Sequence, residues 1–188
     1  MNKRPIEFEA ARLSVPGMAG ALAALILTAL LVSGPTPRAS AQAASSPYEN
    51  VGMLDASEPK RIARFMEEAG YIARLGADAD KRPLISGRLG RSDYTIQFYE
   101  CERGLFCNSV QFLTAVPAPE TVTLETVNAF NAQWRYVRVS LANDEVRLQM
   151  DVNLDAGVTT DNFRDTLDIW RQLLALFETD LLGLPPLD

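Results

Sequence analysis

The chain has 188 residues, 47% hydrophobic and 22% charged, which is ordinary globular composition. Eighteen Lys and Arg against 24 Asp and Glu give a formal charge of -6, which argues against a general nucleic-acid binder. There is no histidine and there are two cysteines, so zinc sites using His, triads using His and an all-cysteine structural zinc site are excluded within the chain.

The chain begins with Lys3, Arg4 and Arg12 against Glu7 and Glu9. No charge then occurs from Leu13 to Pro37, and Met18 to Val32 is a run of fifteen mainly apolar residues. Ser33, Gly34, Pro35 and Pro37 discourage continuation of a helix. Two small-x-small exits follow, Ala39-Ser40-Ala41 and Ala41-Gln42-Ala43. This order predicts a secretory signal peptide over residues 1–43, cleaved after Ala41 or Ala43. The alternative is an uncleaved N-terminal anchor, for which the core is shorter than the ~20 residues that normally span a bilayer. The expected location is periplasmic or secreted, with the membrane touched only transiently through the signal segment. Cleavage after Ala43 removes four of the 18 basic and two of the 24 acidic residues, leaving 145 residues and a charge of -8. Residues 44–56 read as a short flexible lead-in.

A first helix is predicted over 57–75. Asp55 and Glu58 have capping-box spacing, and Pro59 suits a first turn. Ile62, Phe65, Met66, Ala69 and Ile72 recur at helical spacing, and Gly76 is a plausible stop. Leu84–Leu89 is a strand. Tyr94, Ile96 and Phe98 alternate with Thr95, Gln97 and Tyr99, and Val110, Phe112 and Thr114 alternate with Gln111, Leu113 and Ala115, the period of half-buried strands. A short helix follows over about 124–132, with Thr123 as its cap. Val137, Val139 and Leu141, then Val146, Leu148, Met150, Val152 and Leu154, flank a turn at Asn143-Asp144 and predict a hairpin. The last helix runs over about 161–182, capped by Thr160, with Phe163, Leu167, Trp170, Leu174, Phe177 and Leu181 as its apolar stripe.

The predicted class is α+β, a curved antiparallel sheet with packed helices in the order α-β-β-β-α-β-β-α, spanning 57–182, with 183–188 as a tail. One sheet face must meet the helices. The other carries polar and long residues and can stay wet or receive a partner. Tyr99, Gln111, Leu113, Arg138 and Gln149 are the candidate binding residues on that outer face.

Cys101 and Cys107 fall at the inner ends of the second and third strands, with Gly104 permitting a tight return. After export, this placement predicts a structural disulfide. The spacing is not C-x-x-C. Asp151, Asn153 and Asp155 share one side of a strand, and DVNLDAG resembles the opening of a calcium loop. Its glycine falls at position seven instead of six, and position twelve is Asn162, so the metal reading is the weaker alternative and a polar strand entering a glycine turn the stronger. Asp151 and Asp155 would lie about 13 Å apart along a strand, wide for a glycosidase pair. No nucleophile elbow, P-loop or dinucleotide fingerprint occurs.

The stretches YTIQFYECERGLFCNSVQF (94–112), ETVNAFNAQWRYVRV (125–139) and LQMDVNLDAGVTTDNFRDTLDIW (148–170) resemble the bacterial YbjN family, described as sensory transduction regulators. The resemblance covers roughly residues 51–180. It implies a fold related to type III secretion chaperones and a non-catalytic, protein-binding or regulatory domain with no cofactor. The partner is an unknown protein or a second copy, and no nucleic acid is expected. An export segment and a disulfide set this chain apart from cytosolic members. Within these stretches Asn131 is expected to cap or tie a turn, Trp134 to pack in the core, and Asp151 with Thr159 and Thr160 to secure the final turn. An acidic-site hydrolase or calcium-dependent enzyme, and an exported structural domain without a partner, are the competing readings.

Overall fold

The computed structural model describes residues 52–102 and 105–187. The expected signal segment, the first part of the expected lead-in and Gly104 lie outside them. The chain divides into two units, 1–44 and 45–188, and every described residue belongs to the second.

Six strands form one antiparallel sheet: β2 (Arg74–Ala77), β3 (Pro83–Leu89), β4 (Ser92–Tyr99), β5 (Ser109–Pro117), β6 (Arg138–Ala142) and β7 (Glu145–Asn153). Their spatial order is β2-β3-β4-β5-β7-β6. The hairpin between β6 and β7 turns on Asn143 and Asp144, both at positive φ (54° and 62°), as a tight two-residue loop requires. Helix α1 (Pro59–Glu68), α2 (Leu124–Gln133) and α3 (Thr160–Leu176) cover one face. A further π-helical turn, Phe177–Leu181, extends α3.

The period-two residues separate the faces as expected. Ile85, Tyr94, Ile96, Phe98, Val110, Phe112, Val139, Val146, Leu148 and Met150 are buried beneath the helices. Phe163, Leu167, Trp170, Leu174 and Phe177 of the last helix complete the core. Trp170 packs on Phe112 with ring centroids 5.5 Å apart.

Four details depart from the sequence expectations. Helix α1 ends near Gly70 (φ 89°), and 74–77 pair with β3 as a strand, so Ile72 is exposed instead of continuing the stripe. Left-handed Gly70 stops the helix six residues before Gly76 does. The Asp55–Glu58 box does not form. Asp55 instead accepts from the Ser57 N–H and hydroxyl, and these bonds hold its carboxyl below the usual carboxylate range. Part of the lead-in is ordered: β1 (Met53–Leu54) pairs with β8 (Val158–Thr159), and Leu54 and Ala56 are buried. The α3 cap is Thr159, whose hydroxyl accepts from Asn162 N at 3.1 Å, while Thr160 is helical and donates its N–H to Gly52 O. The cap falls one residue early because β8 delivers Thr159 in extended geometry.

Candidate functional site: the outer sheet face and its edges

Strand register places Arg138 opposite Gln149, Gln149 opposite Leu113, and Asp151 opposite Gln111, which in turn faces Gln97. Four of these side chains close a ring. Arg138 Nε donates to Gln149 Oε1 at 3.2 Å, and Gln149 Nε2 donates to Gln111 Oε1 at 2.9 Å. Gln111 Nε2 donates to Asp151 Oδ1 at 2.6 Å, and Arg138 Nη1 donates to Asp151 Oδ2 at 3.1 Å. Beside the ring, the Tyr99 hydroxyl donates to Gln97 Oε1 at 2.5 Å. Cross-strand neighbours one register apart are within reach of such long side chains.

The ring changes what two residues do. Gln111, expected as an outer probe, is only 6% exposed, because Arg138, Gln149 and Asp151 close over it. Asp151 does not secure the final turn: its carboxylate is committed to Arg138 and Gln111 across the sheet. Thr159 and the Asn153 side chain, which accepts from Asp155 N at 2.9 Å, order that region instead. Tyr99 and Arg138 remain exposed, and Leu113 and Gln149 are half-buried. Among the described residues, no three His, Cys, Asp or Glu side chains are grouped to hold a metal.

The two edges of the sheet are treated differently. Asn131 on α2 reaches Val139 on edge strand β6: its Nδ2 donates to the Val139 carbonyl at 3.0 Å, and its Oδ1 accepts from the Val139 N–H at 2.6 Å. The side-chain amide thus stands where a further strand would pair. Asn131 ties the helix to the strand, while Trp134 is half-buried against Phe130. Edge strand β2 is exposed at all four residues.

Cys101 and Cys107 are joined by a disulfide beyond the ends of β4 and β5. Cys107 is buried, while Leu105 and Phe106 are exposed. Sequence reasoning did not find the role of Glu178. This buried carboxylate on the π-helical turn accepts from Arg91 N at 3.0 Å and from the Ser92 hydroxyl at 2.7 Å. The partners lie 87 and 86 residues away, beyond any local pattern.

A family model described as "putative bacterial sensory transduction regulator" matches residues 58–182. The chain belongs to the YbjN family. No curated protein sequence matches the chain. Solved structures similar to this YbjN-family domain include the crystal structure of YbjN, a putative transcription regulator from E. coli, at 13% identity and a TM-score of 0.49, covering 72% of this chain and 100% of that one. Another is the crystal structure of the ExsC-ExsE complex, at 16% identity and a TM-score of 0.48, covering 68% of this chain and 97% of the matched chain. The family is a regulatory and non-enzymatic one, and the matched segment contains the whole six-stranded sheet.

Proposed function

We propose that this YbjN-family domain is an exported, non-catalytic regulator that works by binding a protein, with Tyr99, Leu113, Arg138 and Gln149 as the outer-face residues that meet the partner and buried Gln111 holding Gln149 and Asp151 in place beneath them. The observation that carries the reading is an antiparallel sheet whose helices lie on one face, leaving the other, among the described residues, without a helical cover. On that face half-buried Leu113 lies between Thr95 and Gln149, with exposed Tyr99 and Arg138 further out. Aromatic, Arg and aliphatic residues in this mixture suit a protein interface. The Asp151 carboxylate on this face is paired with Arg138 at 3.1 Å.

Crosslinking mass spectrometry on the native envelope fraction tests the reading. Reproducible crosslinks near residues 97–113 or 138–149, weakened by Arg138→Glu, are the expected result. A monomer without crosslinks at native abundance would overturn the binding role and leave an exported structural domain whose ring keeps the face wet. Export has its own readout. Intact mass of the periplasmic or secreted fraction is expected to correspond to cleavage after Ala41 or Ala43. A mass retaining residues 1–40 defeats cleavage, and a wholly cytosolic protein defeats export.

A further inference from the structure

Among the described residues, the domain blocks one edge of its sheet at Val139 and leaves the other open. On β6, Asn131 supplies both a donor and an acceptor to Val139, so the outward-facing groups of that residue are paired within the chain. On β2, among the described residues, no segment lies along the side away from β3. Alternate backbone groups of an edge strand point outward and can pair with another extended chain.

Beside this open edge lies an apolar groove of about 490 Å3, bounded by Pro59, Leu75, Ala77, Pro83, Leu105 and Phe106. Phe106 is 62% exposed, and its backbone is held at φ 53°. Two restraints fix it there: the neighbouring Cys101–Cys107 disulfide, and donation of the Phe106 N–H to the Ser57 carbonyl at 3.2 Å. An exposed aromatic held in place by covalent and hydrogen-bond restraints loses little further freedom on binding. At the rim, Lys60 and Lys81 are exposed and, among the described residues, make no ion pair. Glu58 is the one acidic residue lining the groove.

We infer that β2 and the Leu75–Phe106 groove receive an extended peptide segment of a partner, which adds as a strand to β2, lays alternate apolar side chains into the groove and carries carboxylates toward Lys60 and Lys81. This rests on the protein-binding reading and gives it a second surface and a partner chemistry. Backbone pairing supplies affinity, and the alternate side chains supply selectivity. A second copy of this chain is the other occupant an open edge admits, and amides 74–77 protected without peptide would reveal it.

The test uses mature protein purified from the envelope fraction and fluorescent eight-residue peptides of alternating Val and Thr. One carries two Glu at one end, another two Lys, and two further Glu peptides are N-methylated on odd or on even residues. Anisotropy is expected to show binding of the Glu peptide, with the Lys peptide at least tenfold weaker at low salt. One N-methylated register is expected to lose tenfold or more and the other to bind as the parent does, because only one set of amides faces β2. Phe106→Ser is expected to weaken binding at least fivefold. Lys60→Glu with Lys81→Glu is expected to reverse the charge preference, and bound peptide to slow amide exchange at 74–77. Absent binding, equal binding of both methylated registers, or amides 74–77 already protected without peptide by a second copy or another segment of the chain would overturn the inference. Outer-face crosslinks that persist while the peptides fail would remove this edge and leave the protein-binding reading standing. Peptide binding without outer-face crosslinks would do the reverse.

Discussion

The hydroxyl of Tyr94 donates to the main-chain carbonyl of Ile72 at 2.7 Å, and the ring crosses over Gly87 to reach it. Tyr94 on β4 stands directly opposite Gly87 on β3. A Cβ at Gly87 would lie 2.0 Å from Ile72 O and 2.6 Å from the Tyr94 ring. Here the glycine is required by close approach, not by its backbone angle. Gly87→Ala is expected to cost about 3 kcal/mol, at the upper end for overpacking, because a carbonyl and a buried ring must both move. Tyr94→Phe leaves the Ile72 carbonyl without this donor and is expected to cost about 1–3 kcal/mol. Urea denaturation of each variant measures both.

The same tyrosine predicts a pH dependence. Burial pushes the Tyr94 phenol up to about 12, with Tyr71 nearby adding to the rise. In the unfolded chain the phenol titrates near 10. The folded state therefore holds its proton more tightly, and this contribution is fully present below pH 10. It falls as pH rises through 10 toward 12. Denaturation midpoints measured between pH 8 and 11.5 are expected to drop above pH 10, and to drop less in Tyr94→Phe. An unchanged slope in that variant would remove Tyr94 as the cause.

Asn131→Ala takes both hydrogen bonds from Val139, a buried residue on an edge strand. The expected cost is about 2–3 kcal/mol, two partly buried bonds at roughly 1 kcal/mol each plus desolvation of the orphaned backbone. Asn131→Asp keeps the acceptor for Val139 N–H but loses the donor, so a smaller loss is expected. Exposing β6 also predicts self-association of the alanine variant at high concentration, readable by sedimentation.

The legible parts of this domain were those with short repeats. Alternation in 94–99, 110–115 and 137–154 reports which side chains meet the core, and the structure follows it strand by strand. Asn131 stood out because it lies near the end of a short helix, within the stretch 125–139 that carries the family resemblance. The outer face was legible as a face, but not in how its members bond: Gln111 and Asp151 meet only through pairing of β5 with β7, forty residues apart in the chain. Helix α1 was overrun because Ile72 fits a 3.6-residue period, whereas left-handed Gly70 breaks the helix before that residue. Strands β1 and β8, two residues each, are too short to show any period. Glu178 carries no local signal, since an acid within an amphipathic helix ordinarily faces water.

Glu178 joins two elements that are distant in the chain. Its Oε1 accepts from both Arg91 N and Ser92 Oγ, fastening the π-helical turn to the β3–β4 hairpin. Gly90 at φ 62° leaves room for the carboxylate: a Cβ there would sit 3.0 Å from Oε2. Glu178→Gln retains an acceptor oxygen and is expected to cost about 1 kcal/mol or less. Glu178→Ala strands two donors in a closed site and is expected to cost about 3 kcal/mol. Thermal melts of the two variants separate these outcomes. Equal losses would mean that the negative charge, and not the acceptor geometry, matters.

The disulfide predicts a stability effect and a local one. The loop-entropy relation for a seven-residue closure gives roughly 2 kcal/mol of stabilisation through the unfolded chain. Cys101→Ser with Cys107→Ser is therefore expected to lower the unfolding free energy by about that amount without changing the sheet. Alkylation of the freshly isolated native protein is expected to add labels only after reduction, and two thiols labelled without reduction would reject the bond in the native protein. The local effect is at Phe106. With the bridge gone, its positive φ rests on the hydrogen bond to Ser57, so residues 105–106 are expected to relax. Amide exchange should then accelerate at Leu105 and Phe106 while β4 and β5 stay protected. Equal acceleration throughout both strands would show instead that the bridge holds the whole hairpin.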